Sequence, residues 1–183
     1  MWRLFDKLIL DVRLKAARSY FSHPTGNNRW LVNLFAVKND ELDQILDNIC
    51  KIMKQKNFKF KRPEIRMVCK YIGEKKIVNG QIVESVVGRA FGGELILIFA
   101  KYLDKFSDME LAVVVAHEFG HIIDIQTKRT GHSLFEAIGH LDSETFANAI
   151  ASYIYSKFVV ITAFKKCMLP INENTILLLN LNV

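Results

Sequence analysis

The amino-acid sequence predicts an α+β fold in which a small mixed β-sheet follows one set of helices and precedes another. Three observations carry that reading. Apolar residues recur at helical spacing over residues 2–20 and 40–56. Short β-branched and aliphatic runs, separated by turn residues, fill 65–99. Two long apolar segments, each behind a helix-start signal, follow residue 107. Strands grouped together, with helices segregated to either side in sequence, belong to α+β rather than alternating α/β folds.

The elements follow in order. Trp2, Phe5, Leu8, Ile9 and Val12 lie on one side of a helix over 2–20, and the stretch 23–28, which contains Pro24 and Gly26, is a turn. Leu42, Ile45, Leu46, Ile49 and Met53 form the apolar stripe of a helix over 40–56. Residues 65–72 read as a strand. Asn79-Gly80 is a hairpin turn joining 76–78 to a strand over 81–87, and 95–99 is a further strand. Ser107 and Glu110 fit a capping box that opens a helix, and 111–116 is then wholly apolar, which suits a helix buried nearly all round. Ser133 and Glu136 fit a second capping box. Asp142 or Ser143 caps a helix that runs from Glu144 through Ala151. The apolar stretch 176–181 is a late strand or a tail packed on helices.

The chemistry is concentrated in His117-Glu118-Phe119-Gly120-His121. Histidines four apart on a helix leave the same face one turn apart and can grip one metal ion. Glu118 stands one position round, beside that ion, where it suits a base taking a proton from activated water. The spacing is the two-histidine half of a zinc peptidase site. Without a metal, the motif would be two hydrogen-bonded histidines on an amphipathic helix. Two such side chains at the end of so apolar a run are costly without a partner. Gly120 gives up roughly 1 kcal/mol of helix propensity relative to Ala, which a closely passing backbone explains.

A third ligand must lie downstream. A third histidine six residues after His121 would mark a metzincin, but Thr127 stands there. Glu136, His132, His140, Asp142 and Glu144 remain. Glu136 already has a capping role, whereas Glu144 opens a helix whose Asn148, one turn on, is placed to hydrogen-bond a metal-bound histidine and fix its tautomer. Ala147 and Ala151 let that helix pack closely. Glu144 is therefore the expected third ligand.

Residues 115–121 followed by Glu144-x-x-Ala147-Asn148 resemble the gluzincins, zinc peptidases with two histidines and a glutamate as ligands. Within them the sequence is similar to small soluble relatives of the CAAX prenyl protease/HtpX-like peptidases and to the ImmA/IrrE-type metallopeptidases. The resemblance covers roughly residues 90–155. It implies a zincin-like domain with 95–99 as the edge strand packed on the motif helix, and Asn148 stands where many members carry Asp. It also implies Zn2+ held by His117, His121 and Glu144, catalysis by Glu118, and a polypeptide substrate lying along the edge strand. Among His132, His140, Tyr153 and Tyr155 no second electrophile stands out, and each is expected to pack or face solvent.

Composition bounds the class. Half of the 183 residues are hydrophobic and 24% are charged, which excludes a disordered chain and suits one domain. Within it, 1–62 is a basic helical part, 63–100 the sheet and 107–165 the zinc-site helices. Cys50, Cys69 and Cys167 are widely spaced and odd in number, as expected for free thiols in the cytoplasm. Asp6, Lys7, Asp11 and Arg13 interrupt any signal-type apolar core. Residues 146–164 approach membrane-span length but contain Asn148, Ser152 and Lys157, which fits a core helix and not a span.

The net charge of +6 sits mainly in residues 1–62. Lys51, Lys54, Lys56, Lys59, Lys61 and Arg62 gather at a helix end, where cations suit the dipole. Aromatics for base stacking are sparse there, which argues against nucleic acid. The oligomeric state is not encoded in any motif. The functional expectation is a zinc-dependent peptidase. Two alternatives stand beside it: an ImmA/IrrE-like regulator acting on one partner, and a non-catalytic zinc-binding protein.

Overall fold

A computed structural model describes residues 29–68, 76–78, 81–83, 87–100, 106–166, 169 and 171–179. The helix expected over 2–20, the turn at 23–28, Cys69 and Cys167 lie outside the described residues. Within them the fold is α+β: seven helices and a four-stranded mixed sheet, with a separate two-stranded ribbon.

Helix α1 (Arg29–Phe35) leads directly into β1 (Ala36–Val37), and α2 spans Asp40–Gln55. The Asn39 side chain caps α2 by accepting the Leu42 N–H at 2.9 Å. The buried residues of α2 are Leu42, Leu46, Ile49, Cys50 and Met53, at the expected helical spacing. At its far end the basic cluster divides. Arg62 pairs with Asp43 and Asp47 of α2, Lys61 approaches Glu94, and Lys56 lies over the Tyr153 ring. Lys51, Lys54 and Lys59 remain solvated.

Strand β2 spans Glu64–Val68, and positions 69–72 of the strand expected over 65–72 lie outside the described residues. Strands β3 (Lys76–Val78) and β4 (Gln81–Val83) pair antiparallel with Val78 opposite Gln81, as a two-residue connection at Asn79-Gly80 requires. Strand β5 is Gly88–Phe91 and β6 is Leu95–Phe99. The sheet order is β1-β2-β6-β5, with β6 parallel to β2 and antiparallel to β5.

This order corrects the expectation for 95–99. That strand is central, and among the described residues the edge beside the helices is β5. The physical reason is visible in composition. All five residues of β6, Leu-Ile-Leu-Ile-Phe, are buried, so both faces are covered, and a continuous apolar run is the mark of an interior strand.

Helix α3 (Asp108–Thr127) starts at the predicted capping box: Ser107 Oγ accepts the Glu110 N–H, and Glu110 Oε2 accepts the Ser107 N–H at 2.8 Å. Glu110 also pairs with Lys166, which ties the start of α3 to the end of α6. Leu111 through Gly120 are all buried. Helix α4 (Leu134–Ile138) lacks the capping box expected at Ser133 and Glu136. Ser133 is already helical, at φ −61° and ψ −29°, so its hydroxyl makes no cap bond; the ring of His132 accepts the Leu134 N–H instead.

Helix α5 (Ser143–Tyr155) is capped by Asp142, which accepts the N–H groups of Glu144 and Thr145. Helix α6 (Lys157–Lys166) then departs at 119°, so 146–164 is a bent pair within the core, and no single helix among the described residues is long and apolar enough to cross a membrane. The tail contributes a short helix, α7 (Glu173–Leu178), which buries Ile176. One hydrophobic cluster joins α2, the four-stranded sheet and helices α3 to α7.

Candidate metal centre

The close approach of α3 and α5 builds the site. A Cβ added to Gly120 would lie 2.7 Å from the Ala147 Cα and 2.9 Å from its carbonyl oxygen, so the two backbones touch there. Gly120 lies one position before His121, and Ala147 lies between Glu144 and Asn148. The contact therefore brings one face of α3 against the first two turns of α5.

On that face His117, His121 and Glu144 converge, with their possible ligand atoms all within 4.8 Å of one another. His117 Nε2 is 3.2 Å from His121 Nε2 and 3.4 Å from Glu144 Oε2, and His121 Nε2 is 3.7 Å from Glu144 Oε1. A tetrahedral ion with bonds of about 2.0–2.1 Å separates its ligand atoms by about 3.4 Å, so these spacings fit a single small cation.

Hydrogen bonding orients both rings. The Nδ1–H of His117 donates to Asn148 Oδ1 at 2.8 Å inside the core, which leaves the Nε2 lone pair facing the centre. His121 Nδ1 lies 3.2 Å from Ser143 Oγ, whose hydroxyl faces Asp124 Oδ2 at 3.4 Å. With that hydroxyl donated to Asp124, the ring donates to Ser143, and its Nε2 lone pair also faces inward. Two imidazole lone pairs and a carboxylate meeting at this range repel one another unless a positive charge lies between them.

The protonation equilibria carry the same message. Burial opposes charge on His117, but the hydrogen bond to Glu144 and the charges of Glu118 and Glu144 outweigh it and raise its pKa. Burial, and then the neighbouring His117, push His121 down to about 4. Neutral imidazole is the form that ligates a metal.

Glu118 is buried beside this group on the side of β5, and a Cβ on Gly88 would lie 2.7 Å from its Cγ and 2.8 Å from its Oε1. The carboxylate accepts the Ala90 N–H. Burial raises its pKa to about 7, against the lowering effects of His117, Arg89 and that backbone bond.

The model of a family described as Putative phage metallopeptidase matches residues 34–167, well over half the chain. The chain belongs to this metallopeptidase family. No curated protein and no solved structure matches it. The matched residues run from α1 through α6 and include every side chain of the centre.

Of the site residues expected from the sequence of this metallopeptidase, His117, His121, Glu118, Glu144 and Asn148 all lie together. The other acidic and histidine candidates do not join them. His132 stacks on Phe58 and has both ring nitrogens engaged, with Lys56 O and the Leu134 N–H, while Glu136 and His140 are exposed. Gly88, Ala90, Ser143 and Asp124 went unrecognised. Only Ser143, adjacent to Glu144, carried a signal, as a capping candidate.

Proposed function

We propose that this member of the family is a zinc-dependent, gluzincin-type peptidase, with His117, His121 and Glu144 as metal ligands and Glu118 as general base. One observation carries the reading: three electron-pair donors converge at tetrahedral spacing on one face of two buried helices. Two imidazoles and one carboxylate form a donor set that suits zinc and leaves a fourth position for water or substrate.

Held there, the ion supplies the Lewis acidity that activates water and polarises the scissile carbonyl. The remaining work falls to the chain. Glu118 takes the proton from the attacking water and later hands it to the leaving amine, which requires a base whose pKa lies near the working pH. Burial provides that match, since the free carboxyl sits at about 7. The bare Cα of Gly88 makes room for the carboxylate, and the Ala90 N–H fixes its direction.

Substrate access follows from the corrected sheet order. Phe99 N–H donates to Val87 O, and the alternation of an antiparallel ladder then turns the N–H and C=O of Gly88 and Ala90 away from β6. Among the described residues no strand covers that side of β5; the Ala90 N–H holds Glu118, and the remaining groups of that row are those with which an extended polypeptide would pair. The Glu144 side chain is 72% exposed, which leaves the approach to the centre open.

The test separates metal from base. Glu118→Gln is expected to keep stoichiometric zinc and to lower peptide hydrolysis by about 10²–10⁴-fold, the usual contribution of general acid–base catalysis. Parent-like hydrolysis in that variant would remove Glu118 from the mechanism. Undiminished zinc binding in Glu144→Ala would remove Glu144 from the ligand set.

A further inference from the structure

The two histidines of the centre are held by different means. The Nδ1 of His117 has a neutral partner, Asn148, in the buried interior. His121 lies nearer solvent, and a chain of polar groups runs outward from it. Its Nδ1 faces Ser143 Oγ at 3.2 Å, Ser143 Oγ faces Asp124 Oδ2 at 3.4 Å, and Asp124 is gripped by Arg129 through both Nε and Nη2 at 2.8 Å. Arg129 spends its third nitrogen on the carbonyls of Gly139 and Leu141, and its guanidinium lies over the Phe146 ring. One side chain thus braces the end of α3, the segment leading into α5, and the first turn of α5.

Two further facts mark this chain as built. Arg129 has φ 58°, directly after Lys128 at φ 50°, so two consecutive non-glycine residues hold the left-handed conformation that lets the guanidinium turn back under α3. Ser143 is the first residue of α5, but the capping oxygen comes from Asp142. The Ser143 hydroxyl is therefore not required to terminate the helix, and it is the only group between His121 and Asp124 in this path.

We propose that Ser143 is a positioning residue for the metal centre, with Asp124 and Arg129 as its support. Its hydroxyl accepts from His121 Nδ1 and donates to Asp124, which fixes the Nε2-coordinating tautomer. Because Glu144 is the next residue, the same hydroxyl sets the spacing between the helical histidines and the ligand from α5. This rests on the zinc reading above. Removing such an outer partner costs metal affinity by about 10–100-fold in comparable sites.

The experiment measures Zn2+ affinity of the full chain by competition with a chromogenic chelator. Ser143→Ala is expected to bind zinc about 10–100-fold more weakly, with metal-free melting unchanged, and Ser143→Thr is expected to restore most of the affinity. In the zinc-loaded parent, nitrogen NMR should show a slowly exchanging His121 Nδ1–H that becomes fast-exchanging in Ser143→Ala. Parent-like zinc affinity in Ser143→Ala, or a Thr variant as weak as Ala, overturns the proposal. His117→Ala keeps the two ideas apart. If it loses zinc while Ser143→Ala does not, only the positioning role fails; if it also binds like the parent, the zinc reading itself fails.

Discussion

Replacing Gly120 with alanine tests the architecture of the centre by a single methyl group. The new Cβ would meet the Ala147 Cα at 2.7 Å, its carbonyl oxygen at 2.9 Å and its Cβ at 3.1 Å. Carbon atoms rest at about 3.5–4.0 Å, so α5 must retreat from α3 by about 1 Å. Backbone atoms cannot swing aside as a flexible side chain would. The retreat carries Glu144 and Asn148 with it, since both share the first turns of α5 with Ala147. Coordination tolerates deviations of about 0.2 Å, so a shift of that size breaks the ligand geometry. The stability terms oppose each other: overpacking costs about 1–3 kcal/mol, and replacing a helical glycine by alanine contributes about 1 kcal/mol. The net loss is about 0–2 kcal/mol. Metal affinity is the sharper readout, with a fall of at least about tenfold, equivalent to about 1.4 kcal/mol. Chelator competition for Zn2+ and metal-free thermal melts measure the two effects separately. A variant that melts higher than the parent and binds zinc equally well would refute the reasoning, because it would mean that α5 has slack at Ala147.

Three further perturbations probe other links. Gly88→Ala places a Cβ 2.7 Å from Glu118 Cγ, but that carboxylate is the free end of a side chain and can swing away. Zinc affinity should stay at the parent level while hydrolysis falls at least about tenfold, part of what a positioned base contributes; unchanged turnover would show that Glu118 does not need its seat against β5. Ser107→Ala removes the capping hydroxyl of α3 and should cost about 1 kcal/mol, a drop of about 2–4 °C in melting temperature for a chain of this size. A melt identical to the parent's would mean that Glu110 and Lys166 hold the helix start without it. The Asp124 carboxyl is held below its ordinary value of 3.8, first by its hydrogen bonds to Arg129, with burial opposing. The unfolded chain therefore takes up this proton before the folded one does. The stability Asp124 lends is fully present above about pH 4 and is lost as pH falls through the folded value. Melting curves of the parent and Asp124→Asn between pH 6 and 2 should converge toward the acid end, and a constant gap across that range would contradict the assignment.

What the sequence made legible was whatever depends on neighbours along the chain. The capping box at Ser107, the stripe of α2, the pairing across Asn79-Gly80 and the cap of α5 at Asp142 all involve groups within a few residues, and each forms as expected. Gly120 was informative because a glycine inside an otherwise strong helix has a cost that only packing offsets, and its contact is indeed the Ala147 backbone. Contacts across the fold left no such trace. Nothing in Gly88-Arg89-Ala90 announces that Glu118, thirty positions on, lies against it, because the signal is an absent side chain in a short strand. Ser133 shows the converse failure: its spacing to Glu136 satisfied the capping pattern, yet Ser133 itself is helical and the His132 ring took the role.

The edge strand is the most instructive of these, because its position is written in the composition of the two strands. Residues 95–99 are apolar at every position, which an edge strand with one open side cannot afford, whereas 88–91 combine Gly, Arg, Ala and Phe in the mixed manner of an edge. Weighing two-sided burial above proximity to the motif helix puts β6 in the interior and β5 beside α3. The consequence is functional. An interior β6 has both rows of backbone groups engaged, by β2 on one side and β5 on the other, and has none left for a substrate. The row that remains belongs to Gly88 and Ala90, and the Ala90 N–H already holds Glu118. The strand that would align the peptide and the strand that seats the base are therefore the same four residues, so a change in β5 is expected to alter substrate affinity and turnover together.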